Sequence, residues 1–421
     1  MRRNYLWYQF FRYAVVSPAL DLFHSQCTVS STEYIPSEKP VIFVSNHQNA
    51  LLDALHLVCN TRKFVHFLTR AEPFEVPVVS SFLRSLNMMP VYRVRDGMSS
   101  IKKNETTFAR CYDHLGKGDA ILVFAEANHD LRRRIRPLSK GFTRIAFGAE
   151  VRHNWQLDLQ VIPVGINYGQ HRKSRRPVHV EFGECIPIAS YKELYLQDER
   201  QAAQELKQAT AEAMKSLTMH VPNLNHYPLH HLLLDELESN RENLIQPGIV
   251  NERVAKIDEH VNEKLLDKTT ELLEKSDGKA DLNNFITKQN WKPKDLLLSP
   301  VYLFTLLNNL IPYQLIRWIT EEFIQDHVFD GSAKFLCGLF LLPSWYLLIT
   351  LLLGLAGVNS FLIPGYFLLS LITAPLFVDA KDLLLKDSAQ QLEKENPELY
   401  QTVMSEIERF KAWREELFER N

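Results

Sequence analysis

The sequence predicts an α/β domain with a mixed, mostly parallel sheet flanked by helices, followed by helical segments and a hydrophobic membrane hairpin. Three observations predict this. Residues 40 to 185 alternate short apolar runs with longer amphipathic ones, the pattern of strands joined by helices. Charged text of helical period follows, in "ERQAAQELKQATAEAMKSLT" and "NERVAKIDEHVNEKLLDKTTELLEKS". Then, from Phe335 to Val378, come 44 residues without Asp, Glu, Lys, Arg or His.

The α/β elements read in order. "VIFVSN" is a buried strand and "ALLDALHLVC" a helix. "KFVHFLTR" is a strand. "TTFARCYDHLGKG" is a helix closed by glycine, leading into the strand "AILVFAE". "SKGFTRIAFGAEV" is a helix, and "DLQVIPVGINY" and "VHVEFGE" are strands. Upstream, "MRRNYLWYQFFRYAVVSPALDLF" sets Arg2, Arg3 and Arg12 among Trp and Tyr rings. That suits an amphipathic helix at a membrane interface; a surface helix packed on the next domain fits the same text. Asp21 and Pro18 make it a poor signal peptide.

One helix needs about 20 residues to cross a hydrocarbon core of roughly 30 Å, so the uncharged run is long enough for two. Its middle, "GLAGVNSFLIPG", has turn composition. Lys334 precedes it, and Lys381 and Lys386 follow, so both ends are expected on the cytoplasmic side. A core hairpin of a soluble domain is the competing reading. Pro343, Pro364 and Pro375 also admit a re-entrant hairpin. "LLLSPVYLFTLLNNLIPYQLIRWI" (296–319) is apolar but broken by Pro300, Asn308, Asn309 and Pro312, and suits a place on the bilayer beside it. The expected divisions are 1–34, the interface segment; 35–219, the α/β domain; 220–295, a charged helical linker; 296–378, a membrane-associated segment with its hairpin at 335–378; and 379–421, a charged helix.

The chain has 421 residues and a formal net charge of -2, so its global charge gives no reason to expect nucleic acid. Five scattered cysteines make no CxxC pair and no disulfide framework, which points to a reducing compartment. His226, His230 and His231 lie in "VPNLNHYPLHHLL" without a cysteine or spaced carboxylate. They read as satisfied surface or interface histidines.

The chemistry gathers at strand ends, where α/β proteins collect active-site residues. His47 follows "VIFVSN", Arg93 closes "NMMPVYR" and Glu126 closes "AILVFAE". A basic run, Arg132, Arg133, Arg134, Arg136 and Lys140, comes directly after Glu126 and suits an anion. His47 and Asp53 are six positions apart, a rotation of about 600 degrees on a regular helix. They face each other only if His47 lies in a loop and the helix starts near Asn49, a good N-cap. Asp53 then points back to the imidazole, fixing its tautomer and leaving the other nitrogen as a base. With no serine elbow or cysteine partner, such a base acts on a substrate hydroxyl.

These blocks resemble the glycerophospholipid acyltransferase family over about residues 38 to 190. "SNHQNALLD" resembles the family's Asn-His…Asp block, with five residues between His47 and Asp53 as in a glycerol-3-phosphate-type subgroup. "NMMPVYR" is similar to Gly-x-x-Pro-x-x-Arg, with Asn87 in the glycine position. "FAEANHD" is similar to Phe-Pro-Glu-Gly, keeping Phe124 and Glu126 but with Ala125 and Ala127. "RPLSKGFTRIAF" and "VIPVGINY" match the following helix and the fourth block.

The resemblance implies an acyltransferase of phospholipid biosynthesis. His47 would take the proton of a glycerol hydroxyl as it attacks an acyl thioester, with Asp53 holding His47 and no acyl-enzyme formed. The donor would be acyl-CoA or acyl-carrier protein; no bound cofactor and no metal are expected. Arg93 and Glu126 would shape the glycerol phosphate site, with Arg134, Arg136 and Lys140 as further phosphate contacts and Asn46 and Asn128 orienting loops. The acceptor would be glycerol 3-phosphate, slightly favoured by the His–Asp spacing, or its 1-acyl form; another lysolipid or an aminolipid is an alternative. Membrane lipids are the expected partners, with the catalytic domain on the cytoplasmic face of a membrane. Two other readings compete: an inactive lipid-binding scaffold of the same fold, and a phosphatase or hydrolase using the basic patch, which lacks a nucleophile and a metal cluster.

Overall fold

A computed structural model describes residues 3–92, 103–126, 128–230, 244–267, 270, 297–384, 393–394 and 397–419. The chain forms two compact units. The first comprises residues 1–21, 26–171 and 177–220; the second comprises 22–25, 172–176 and 221–421.

The first unit is built on eight strands among the described residues: β1 (Cys27–Ser30), β2 (Val41–Ser45), β3 (Val65–Arg70), β4 (Met88–Val91), β5 (Ala120–Val123), β6 (Gln160–Tyr168), β7 (Val178–Phe182) and β8 (Ile186–Pro187). Their order is β1-β7-β6-β2-β5-β3-β4, with β8 on β6. β6 runs antiparallel to β7 and β8; the other pairs are parallel. The sheet is therefore mixed and mostly parallel.

Helices cover both faces, which explains why the central strands are apolar throughout instead of alternating. Ile42, Val44, Ile121 and Val123 enter one core with Phe142 and Ile145 of helix Gly141–Arg152 and Leu206 of Glu199–Leu217. Val41, Phe43, Ala120 and Leu122 enter the other with Leu57 of Leu51–Cys59. Successive strand residues thus feed opposite cores. Gly165 in β6 lets helix Glu199–Leu217 close on the sheet: a Cβ there would sit 2.3 Å from the Leu217 carbonyl oxygen.

The amino-terminal segment is part of this unit. Tyr8 and Arg12 are buried, with the Tyr8 ring edge-on to Phe64, and β1 joins the sheet beside β7. Leu6, Trp7, Phe10 and Tyr13 remain exposed. The segment is therefore packed on the domain along one side and presents a second apolar face. Helix Pro77–Ser85 and strand β1 were not singled out by the sequence pattern. Val78, at 80% exposure, extends the exposed apolar surface on that helix.

The second unit is helical among its described residues. Helices Ser299–Phe323, Asp330–Leu355 and Leu362–Thr373 carry the apolar text. The segment His327–Leu355 is the one helix among the described residues long and apolar enough to cross a membrane. Leu362–Thr373 has 12 residues and rises only about 18 Å. The uncharged run is thus a helix, a turn and a shorter helix, with Pro375 just before Leu376–Leu384.

The polarity of these helices is inverted relative to a water-soluble core. Leu347, Leu351, Leu355, Leu362 and Leu368 face outward. Inside, Asn308 donates to Ser370 Oγ at 3.0 Å and accepts from Tyr366 Oη at 2.6 Å. Tyr346 Oη donates to Asn309, and Thr305 donates to the Thr373 carbonyl at 3.0 Å. In the same unit His226 Nδ1 and His230 Nε2 each lie 2.8 Å from Asp258 Oδ1. His231 lies outside the described residues.

Candidate active site

The parallel register of β2 and β5, with Val44 opposite Val123, brings residues 46–53, 124–126 and 128–136 to one edge of the sheet. Each segment leaves the carboxyl end of its strand there. His47 follows β2 in a loop, and its ring stacks on Phe124, which follows β5, at 4.0 Å and 10°.

Asp53 lies in the first turn of helix Leu51–Cys59 and is 1% exposed. Its Oδ2 accepts from His47 Nδ1 at 2.9 Å, from the Gln48 amide at 2.9 Å and from the Asn49 amide at 2.8 Å. Its Oδ1 accepts from Tyr168 Oη at 2.7 Å. Both oxygens are thus held, and the carboxylate has one orientation. The helix does not start as its sequence reads. Ala50, not Asn49, is the capping residue, at φ 47° and ψ -118° with no side-chain cap. A left-handed non-glycine turn costs energy, on the order of 1–3 kcal/mol. Here it lets one carboxylate gather two loop amides and the imidazole. The Asn49 side chain instead donates to the His171 carbonyl at 2.9 Å.

A carboxylate on Nδ1 assigns the proton to that nitrogen and leaves Nε2 with a lone pair. Nε2 makes no hydrogen bond among the described residues, and the His47 side chain is 18% exposed. The arrangement has the geometry a base needs, one nitrogen anchored and the other open to a ligand. The thiols of Cys27, Cys59 and Cys111 are pushed up to about 12 by burial. They are protonated thiols rather than nucleophiles at neutral pH.

Glu126 joins the same edge. Its Oε2 accepts from the His47 amide and from Arg136 Nη2, both at 3.3 Å. Its Oε1 accepts from the Arg136 amide at 2.9 Å. Arg136 also donates to the Asn128 carbonyl, and Asn128 Oδ1 accepts from Arg70 Nη2 at 3.1 Å. Contacts therefore run unbroken from Asp53 through His47, Glu126 and Arg136 to Asn128 and Arg70. Arg134 is paired on its flank with Asp130 at 3.7 Å. The Nε atoms of Arg134 and Arg136 are buried and have no partner among the described residues. Lys140 is exposed, just before helix Gly141–Arg152, and bonds to none of these side chains. Arg93 and Ala127 lie outside the described residues.

Asn46 and Arg133 were named from the sequence, whereas Gln48, Arg70, Tyr168 and His171 escaped its pattern. Asn46 makes two hydrogen bonds to the backbone of Ile166, at 2.9 and 2.8 Å, tying the His47 loop to β6. Gln48 faces His171 Nε2 at 2.9 Å, and Arg133 donates to the Gly169 carbonyl at 2.9 Å. Arg70 and Tyr168 each close a strand, the same signal that marks His47 and Glu126.

Burial pushes the Glu126 carboxyl above its ordinary value of 4.5, opposed by the Arg136 hydrogen bonds and charge. A raised folded-state value means the folded protein holds more protons than the unfolded chain across the window starting at 4.5. Stability is therefore expected to fall as pH rises through that window. Glu126→Gln removes the titration, so its melting temperature should fall less than the wild-type value over the same window. Parallel pH profiles for the two proteins would contradict this.

Residues 26–167 match the family model Acyltransferase. The chain is 27% identical over 121 residues to glycerol-3-phosphate O-acyltransferase 2 of Saccharomyces cerevisiae, covering 28% of this chain and 16% of the relative. It is 29% identical over 117 residues to glycerol-3-phosphate O-acyltransferase 1 of the same yeast, covering 27% and 15%. A 1-acyl-sn-glycerol-3-phosphate acyltransferase of Chlamydomonas reinhardtii is 29% identical over 116 residues, 28% of this chain and 33% of that protein. The similarity thus spans a third or less of each relative. Among solved structures, the 1-acyl-sn-glycerophosphate acyltransferase PlsC of Thermotoga maritima aligns with a TM-score of 0.34 and 19% identity, over 50% of this chain and 84% of that chain.

Proposed function

We propose that this chain, whose residues 26–167 match the Acyltransferase family model and which resembles glycerol-phosphate acyltransferases over part of its length, moves an acyl group from a thioester to a hydroxyl of a glycerol phosphate. The observation that carries the reading is the anchored imidazole with its open Nε2, set beside a basic cluster. The hydroxyl oxygen attacks the thioester carbonyl, and its proton passes to His47 Nε2. The tetrahedral intermediate expels the thiolate, which takes that proton back. Charge balances without an acyl-enzyme.

The acceptor phosphate is assigned to Arg134, Arg136 and Arg70, with Lys140 and Arg93 as further contacts. Guanidinium donors that lack an acceptor in a buried setting suit an anion with several oxygens. Glu126 acts by holding the loop: both of its oxygens already accept protein donors, and a carboxylate repels phosphate. Asn128, in the same loop, holds Arg70 at the end of β3. Glycerol 3-phosphate and its 1-acyl form are the acceptors proposed, with acyl-CoA or acyl-carrier protein as donor. The protein works at a membrane, its catalytic unit on the cytoplasmic side. The support for the membrane is the inverted polarity of the helical unit, since outward leucines and inward amides suit hydrocarbon; the cytoplasmic side rests on the lysines that flank the uncharged run, Lys334 and Lys381.

The test uses the detergent-solubilised full chain with labelled acyl-CoA or acyl-carrier protein. Glycerol 3-phosphate, 1-acyl-glycerol 3-phosphate and a lyso-aminolipid are offered in turn. Labelled ester with a glycerol phosphate acceptor is the expected result. Ester formed only with the aminolipid would reassign the acceptor. Lipid binding with no transfer from either donor would leave the inactive scaffold in its place.

A further inference from the structure

A second cluster sits at the amino ends of the central strands, opposite the site above. His66 is the second residue of β3, Asp119 immediately precedes β5, and His114 is the penultimate residue of helix Lys103–Leu115. The parallel pairing of Val65 with Ala120 sets His66 beside Asp119. The turn into β5 brings in His114: the Asp119 amide donates to the His114 carbonyl at 3.2 Å, and Gly118 adopts φ +80°. A side chain there would be strained.

His66 Nε2 and His114 Nδ1 each lie 3.1 Å from the same oxygen, Asp119 Oδ2. The two rings are 3.6 Å apart, centre to centre. The three donor atoms all lie within 4.8 Å of one another.

We propose that His66, His114 and Asp119 bind a divalent transition-metal ion of the Zn2+ class. Two imidazole nitrogens and one carboxylate oxygen are a donor set suited to that ion. Bonds of about 2.0–2.2 Å at tetrahedral angles separate neighbouring donors by about 3.3 Å, close to both 3.1 Å separations. Those separations also fit hydrogen bonds, so in the metal-free protein two ring protons hold the ligands in register. One ion takes the place of both as each proton moves to the other nitrogen of its ring. The side chains of His114 and Asp119 are 14% and 22% exposed, leaving a route for the ion and a place for water as a fourth ligand.

Of the nearby cations, Lys63 is engaged elsewhere, giving its ammonium to the carbonyls of Ser37 and Lys39 at 2.7 Å each. The ion would join a helix and two strands at one point, as a structural clamp remote from His47.

The test titrates the tag-free, metal-depleted full chain in detergent with Co2+, then Zn2+. The expected result is one equivalent of Co2+ with a visible absorption band, displaced by Zn2+, and a melting temperature that rises with Zn2+. His114→Gln and Asp119→Asn should each abolish the band and the rise. No cobalt band and no zinc-dependent shift in the wild type would overturn the proposal. So would unchanged stoichiometry in both folded variants. If one variant does not fold, the other carries the comparison.

Discussion

His47→Ala is expected to yield a folded protein whose acyl transfer falls by about 10²- to 10⁴-fold, the range for removal of a general base. The loss should lie in kcat, with acceptor affinity little changed, because in the proposed mechanism Nε2 acts on a proton that moves only in the transition state. Folding should survive. His47 is partly open, and its main neighbours, Phe124 and Asp53, are held by other contacts. The measurement is initial-rate kinetics beside the wild type, with a melting curve for each. Transfer at the wild-type rate would remove His47 as the base.

Asp53→Ala should be worse for the protein than for the histidine alone. It should lose at least as much activity and also cost stability, about 3 kcal/mol or more, from the buried donors left without their acceptor. The carboxylate is 1% exposed and accepts four hydrogen bonds. Without it, two loop amides and the Tyr168 hydroxyl are left as buried donors, each costing about 1–3 kcal/mol if no water replaces the carboxylate. The left-handed Ala50 turn loses the group that holds it. Denaturant unfolding would show a lower midpoint than for His47→Ala. Equal midpoints for the two variants would mean that Asp53 orients the ring but does not organise the loop.

Much of this site was legible because strand ends are legible. His47 and Glu126 each follow a run of buried residues with a polar side chain, and the sheet brings those two ends together. The backward reach of Asp53 also followed from helix geometry, since a regular helix separates positions 47 and 53. What the pattern did not contain was the device that achieves it. Asn49 carries the better capping chemistry, yet the turn forms at Ala50, because a carboxylate already supplies the amides' acceptor. Tyr168 was equally opaque. It serves Asp53 only because β6 lies beside β2, and that neighbour relation is set by core packing rather than by chain order. His66, His114 and Asp119 were hidden for the same reason: three elements supply them. In the helical unit, the long uncharged run was plain in the sequence, whereas the inward amides were not, since Asn308 and Asn309 read there as interruptions.

The hydrogen bonds from β6 also constrain the order of events in folding. Asn46 meets Ile166 across 120 residues, and Asp53 meets Tyr168 across 115. Contacts so distant along the chain bear a large loop-closure entropy and form late. During synthesis, which runs from the amino end, His47 leaves the ribosome long before the strand that completes its setting. Until β6 is made and docked, the histidine lacks both the fixed carboxylate and the closed loop that would give it a base's geometry. The reactive centre therefore matures only after more than a hundred further residues have been added.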